Sequence, residues 1–179
     1  FWSRFEGMHV ELKPLTPEDA EAHCAGEDDQ TVRWLTGGYG DPAGTREYFD
    51  FLAQNARAGR GKRGFGVWVD DRLGGYVEFD LDVTDGLQVG DVNLAYSVHP
   101  WARGRGVAAT AIEQLCQALV REGLGRAAAI RVEPANVASV RVAEKCGFTL
   151  VREFVSATDK DPDGTPATMR LYRRPLLSA

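Results

Sequence analysis

Val92-Asn-Leu-Ala-Tyr-Ser-Val-His-Pro-Trp-Ala-Arg-Gly-Arg-Gly-Val-Ala108, with the apolar-periodic run that follows it to Leu119, is the stretch on which the fold turns. Apolar or aromatic residues alternate at Val92, Leu94, Tyr96 and Val98, which predicts a strand. Pro100 ends it, because proline has no N–H to give to a ladder. Past Arg103-Gly-Arg-Gly106, apolar residues fall at Ala108, Ala111, Ile112, Leu115, Cys116 and Leu119, the stripe of a half-buried helix. Two glycines and two arginines therefore stand where a strand hands over to a helix N-terminus. Unpaired N–H groups and the positive end of the helix dipole make such a junction an anion site. Glycine lets the backbone close on the anion, and arginine matches phosphate oxygens.

A Gly-Arg-Gly turn is also an ordinary helix start. The agreement of strand, paired arginines and amphipathic helix argues for a ligand as well. The P-loop pattern is absent, with no Gly-Lys-Ser/Thr in the chain. Gly104-x-Gly106-x-x-Ala109 does satisfy a dinucleotide fingerprint, and Glu133 follows a later strand at Ile130–Val132. Against it, Pro100–Arg103 separates the strand from the glycines where that turn should be tight. The match also comes too late for a second mononucleotide-binding half.

Arg103-x-x-Gly106-x-Ala108 resembles the Q/R-x-x-G-x-G/A signature of the GNAT superfamily of N-acetyltransferases. Asn136-Val-Ala-Ser139-Val-Arg-Val-Ala-Glu144-Lys145-Cys-Gly147-Phe148 resembles that family's second element on the coenzyme side, in the style of the branch that acetylates ribosomal-protein N-termini (RimJ/RimL-like). The resemblance runs from about Gly90 to Phe148. It implies that Arg103, Gly104, Arg105, Gly106, Val107, Ala108 and Ala109 wrap the pyrophosphate of acetyl-CoA, with Asn136 and Ser139 beside it. It also implies that the strands at 92–98 and 128–132 splay to admit pantetheine, and that a backbone N–H near Val98 serves the oxyanion. Trp34 and Tyr39 fall in the family's substrate-facing region, though they read equally as core and turn. By their own physics, Asn136 and Ser139 suit the start of a helix and Gly147 its end. A capping side chain beside a cofactor can also touch it.

Acetyl transfer from a thioester to an amine makes three demands. The amine must lose its proton, the oxyanion needs N–H donors, and the departing thiolate gains from a proton. The tyrosine that often supplies this proton in or past the second motif is missing. The resemblance then points to Ser139, whose alternative is a structural first-turn serine. Where relatives carry glutamate before the phosphate loop, this chain has Asn93, which is no base. Glu78 is the candidate base, on the side of its strand that also carries Tyr76, Asp80 and Asp82, and the alternative is a solvated strand face. Asp91 is the other carboxylate near by, but it sits at the start of its strand and should matter less. Asn93 and the missing tyrosine keep a non-catalytic acyl-CoA sensor or scaffold open beside the enzyme, and a nucleotide-dependent oxidoreductase stays third. The acceptor, a protein N-terminus or a small amine, is not legible.

The rest of the chain sets bounds. Its 179 residues, 44% hydrophobic and 26% charged, suit one domain of a soluble α/β protein. That domain is drawn over 8–179, and residues 1–7 are set aside as a leader or added segment. No apolar run reaches the roughly 20 residues of a membrane span, and no secretory signal is visible, so a cytoplasmic setting without membrane partners is expected. A net charge of −5 disfavours a nucleic-acid partner and is compatible with a cationic acceptor. A homodimer is left open. Cys24, Cys116 and Cys146 read as reduced structural thiols, and the scattered histidines give no metal site. Asp159-Lys-Asp-Pro-Asp-Gly164 reads as a hairpin turn rather than a calcium loop, whose last position would here be Arg170.

Periodicity along the chain predicts a mixed α/β sheet in the order β-α-α-β-β-β-α-β-α-β-β, which is the family's order. Helices are expected from Thr16, over Gln30–Leu35 and over Thr45–Ala58, with Tyr48, Phe49, Phe51, Leu52 and Ala56 wholly or partly inward. Phe65–Val69 and Gly74–Val83 should form a hairpin across Asp70-Asp71, and the last strands lie near Thr149–Ala157 and Ala167–Arg173.

Overall fold

The computed structural model describes residues 7–177; residues 1–6 of the segment set aside as a leader, and 178–179, lie outside the described residues. Seven strands form one mixed sheet, ordered β1-β2-β3-β4-β5-β7-β6. They are β1 Val10–Pro14, β2 Lys62–Val69, β3 Arg72–Asp80, β4 Asp91–Val98, β5 Ala127–Val132, β6 Thr149–Lys160 and β7 Pro166–Pro175. Ahead of β2 come two short helices, α1 (Ala20–Ala25) and α2 (Asp29–Thr31, continued by a π turn over Val32–Thr36), and the long α3 (Pro42–Ala58). α4 (Val107–Glu122) joins β4 to β5, the one parallel pair, and α5 (Val137–Lys145) joins β5 to β6.

The β2–β3 turn falls where the sequence places it. Asp70 and Asp71 take φ of 48° and 64°, the paired left-handed conformation that matches a hairpin to the strand twist. The Asp159–Gly164 stretch closes the β6–β7 hairpin, with Asp161 N–H donating to Thr165 O at 2.8 Å.

Helices cover both faces of the sheet. On one, Val107, Ala111, Ile112, Leu115, Cys116 and Leu119 of α4 pack on Val77, Phe79, Val92 and Leu94. The buried stripe thus begins at Val107, one residue before the expected Ala108, which turns toward the cavity described below. On the other face Phe49 and Leu52 of α3 and Ala20 of α1 pack on Leu73 and Tyr76 of β3. α3 buries a narrower stripe than expected: Phe51 is 48% exposed and Ala56 also faces outward. Only positions three and four apart share a helix face, which turns Phe51 away from the face of Phe49 and Leu52.

Two sequence expectations change in this layering. The Tyr76–Glu78 side of β3 is not a solvated face, because α1 and α3 cover it and Glu78 is only 7% exposed. Asp91 does open β4, but it is not peripheral there. It is buried and receives the Arg173 guanidinium through Nη2 at 2.7 Å and Nε at 3.0 and 3.1 Å.

Candidate active site

β4 and β5 pair only from Asp91/Ala127 to Leu94/Ile130. Beyond that pair they part, and a cavity of about 410 Å³ opens between Leu94–Val98 and Ile130–Glu133, bounded by α2, the start of α4 and α5. His99 N–H donates to Gly74 O at 2.8 Å, so the odd-numbered β4 residues turn their N–H groups toward β3. By the two-residue alternation of an antiparallel ladder, Tyr96 and Val98 present theirs to the side from which β5 has peeled away. Val98 thereby supplies a donor at the cleft, in the place where an oxyanion or an extended amide chain would meet it.

The cavity's other end is the loop into α4. Gly104 and Gly106 take φ of 73° and 76°, and Gly106 is the N-cap residue with no side chain to cap with. The first N–H groups of α4, at Val107, Ala108 and Ala109, have no intrahelical partner, and all three residues line the cavity. Lys145, at the end of α5, brings its Nζ to within 3.8 Å of where a Cβ on Gly106 would stand. Helix terminus, glycine backbone and ammonium therefore converge, and the site fits a pyrophosphate.

Arg103 serves differently from Arg105. Its Nε donates to Val98 O at 2.9 Å, and Nη2 donates to Asp28 Oδ1 at 2.8 Å, with Nη1 on the other carboxylate oxygen. Asp28 is also the N-cap of α2, accepting from Thr31 N–H at 3.0 Å. The guanidinium, first through its hydrogen bonds, holds the Asp28 carboxyl far below the usual range. Arg103 thus fastens the loop to α2, whereas the exposed Arg105 has no such anchor.

Asn136 caps α5, its Oδ1 accepting from Ser139 N–H at 3.3 Å, and both residues line the cavity. Ser139 Oγ lies 2.7 Å from the Tyr96 hydroxyl. Of the two acceptor-side residues expected, the structure brings Trp34 to the cavity wall but not Tyr39, which is 61% exposed with its hydroxyl donating to Asp29. Arg33 stacks on the Trp34 ring at 4.1 Å and donates to Glu133 Oε2 at 3.0 Å, closing that rim.

Glu78 stands behind the wall. It pairs across the ladder with Ala95, which does line the cavity. Glu78 Oε2 accepts from the Tyr76 hydroxyl at 2.6 Å and the Tyr48 hydroxyl at 3.4 Å, and Oε1 lies 3.4 Å from Lys62 Nζ. Asn93 is buried and its Oδ1 accepts from Arg131 Nε at 3.3 Å. Arg131 Nη1 reaches Asp85 and Asp159 at 2.7 and 2.8 Å, tying β5 to the β3–β4 loop and to β6.

Sequence reasoning missed Tyr96, Arg131 and the Arg33–Glu133 pair as parts of the site. Tyr96 carried only the signal of a strand residue, and the pairs join residues far apart in the chain. Lys145 was within the second motif, but nothing in its spacing from Gly106 announces contact.

A family model for the acetyltransferase (GNAT) domain matches residues 9–149. The chain belongs to this family. Its members are N-acetyltransferases, and the expected phosphate loop and second element fall inside or at the edge of the matched segment. No curated protein matches the sequence. Among solved structures, an acetyltransferase from Salmonella typhimurium that modifies the N-terminal serine of a 50S ribosomal subunit protein is 17% identical, with TM-score 0.79 over 94% of this chain and 95% of that one. RimJ from Mycobacterium smegmatis, in complex with CoA-disulfide, is 22% identical with TM-score 0.75, over 93% of this chain and 81% of that one. A microcin self-immunity acetyltransferase, in complex with acetyl-CoA and AMP, is 15% identical with TM-score 0.78, over 93% and 92% of the two chains. These likenesses carry the fold of this acetyltransferase.

Proposed function

We propose that this chain moves the acetyl group of acetyl-CoA to a primary amine, either a protein N-terminus or a small amine, by direct attack in a ternary complex. The observation that carries this reading is the parting of β4 from β5 after Leu94/Ile130, with unpaired N–H donors along one side and the α4 terminus at one end. Acetyl-CoA supplies the activated acyl carbon and a thiolate leaving group. The α4 N-terminus, Gly104, Gly106, Arg105 and Lys145 hold its phosphates, and Arg103 keeps their loop in register against α2. Val98 N–H steadies the charge that grows on the acyl oxygen.

The amine attacks as its lone pair becomes free, so its proton must go elsewhere. Glu78 takes that proton through an intervening water, because its carboxylate lies one strand behind the cavity wall. As the nitrogen–carbon bond forms and the carbon–sulfur bond breaks, Ser139 gives its hydroxyl proton to sulfur. Trp34, Arg33 and Glu133 form the rim through which the acceptor enters. A cytoplasmic setting, with its reducing thiol pool, agrees with three unpaired cysteines, of which Cys116 is pushed up to about 11 by burial. Among the described residues no helix is long and apolar enough to cross a membrane.

Binding and turnover test the reading separately. At ~100 times its Kd, CoA should add roughly 2.7 kcal/mol to stability, raising the melting temperature, while NAD should not. Turnover of acetyl-CoA across a panel of amines and short peptides should follow. Binding without turnover on any acceptor would leave a sensor, and a shift with NAD alone would overturn the assignment of the cleft.

Ser139→Ala should lower kcat while leaving KM for acetyl-CoA unchanged, since its contribution arises as sulfur departs. A raised KM with intact kcat would make Ser139 a cap and binding residue only.

A further inference from the structure

We infer that Tyr96 is a positioning residue for the transfer, acting through Ser139 and replacing the proton that Ser139 gives up; this rests on the reading of Ser139 as the donor to sulfur. Tyr96 stands on β4 just past the last β4–β5 pair, in the wall of the opening itself. Its hydroxyl lies 2.7 Å from Ser139 Oγ and 3.3 Å from the Ser139 carbonyl oxygen. Ser139 N–H is meanwhile held by Asn136 Oδ1, so the residue is fixed from two sides.

The chemistry explains why a serine here needs such a neighbour. A serine alkoxide is far more basic than a thiolate, so a lone serine is a poor acid toward departing sulfur. A phenol behind it changes that balance. The Ser139 proton passes to sulfur while the Tyr96 proton passes to Oγ, and the phenolate left behind is reprotonated from solvent. No alkoxide forms, and the products are a thiol, a neutral serine and, after that last step, a neutral tyrosine. Burial pushes Tyr96 up to about 12, so it carries its proton throughout the neutral range; although this makes it a weaker acid than a free phenol, it still gives up a proton far more readily than a serine hydroxyl. When the Tyr96 hydroxyl turns its one proton to Oγ and not to the Ser139 carbonyl oxygen, the Ser139 proton is free to turn into the cavity.

Tyr96→Phe keeps the ring that packs in the wall and removes only the hydroxyl. It should lower kcat about tenfold, the scale of one lost hydrogen bond to a reacting group, with KM for acetyl-CoA held within about twofold. Melting temperature and CoA affinity should stay at the parent values. In the double variant with Ser139→Ala, kcat should be no lower than in Ser139→Ala alone, because Tyr96 acts through that hydroxyl. An unchanged kcat in Tyr96→Phe, a raised KM with intact kcat, or costs that multiply in the double variant would each overturn the role of Tyr96. If Ser139→Ala turns over normally, the Ser139 reading itself fails. If Ser139→Ala is slow and Tyr96→Phe is normal, only the present inference fails.

Discussion

Gly106→Val is expected to yield a folded protein that no longer binds CoA or acetyl-CoA, with affinity reduced by about a hundredfold or more, equivalent to roughly 2.7 kcal/mol. Gly106 sits at φ 76°, where a β-branched residue is strained by about 1–3 kcal/mol. An added Cβ would meet only Lys145 Nζ, at 3.8 Å, so no packed neighbour has to move. The fold therefore survives, at some loss of stability. The new methyl groups instead fill the concavity in which a phosphate would approach the backbone, and they shield the first N–H groups of α4. Calorimetric titration with CoA, alongside thermal melts of parent and variant, checks this. Ser139→Ala, measured in parallel, should bind CoA nearly as the parent does. Parent-like CoA affinity in the valine variant would mean that the pyrophosphate lies elsewhere.

Glu78→Gln is expected to slow turnover by about a hundredfold or more at neutral pH, the lower end of what a general base contributes. The loss should shrink as pH rises, because the acceptor then loses its proton without help. Burial first, and the Glu78 charge second, raise Tyr76 well above the ordinary phenol value, and the same causes raise Tyr48. Both phenols thus keep their protons and go on donating to Glu78 across the neutral range. The glutamine variant also strands Lys62 beside a neutral amide, so its melting temperature should fall. The pH profile separates chemistry from stability, since a merely structural carboxylate lowers activity at all pH values alike. Asp80→Asn is the matched control, two residues along the same face of β3. Asp91→Asn is unsuitable, because it would break the buried pair with Arg173. A Glu78→Gln enzyme with the parent rate and pH profile would make Glu78 a structural partner of Lys62, Tyr76 and Tyr48 only.

The parts of the site that were legible before folding share one property: they are local. Strand, glycine turn and helix from Val92 to Leu119 declare themselves because alternation, helical spacing and chain breakers all act within a few residues. Asn136 is legible as a cap for the same reason, and the Asp70-Asp71 turn because two residues suffice to close a hairpin. Phe51 and Ala56 were misjudged because the width of a buried helix stripe depends on what the helix lies against.

From sequence alone came the fold class, the glycine turn between strand and helix, the family and the absence of a carboxylate at position 93. Each follows from residue types at short spacing, where backbone geometry leaves few choices. Tertiary structure decided the rest. It set Arg103 on Asp28 and brought Lys145 to Gly106, Tyr96 to Ser139 and Arg131 to Asp85 and Asp159. It also placed Glu78 behind Ala95 instead of on a solvated face. These contacts join residues between 28 and 75 positions apart, apart from the cross-strand neighbours, and no short-range pattern encodes a partner at that range. Their geometry is set when the helices close on the two faces of the sheet, because burying a polar group without a partner costs more than the partnered bond contributes.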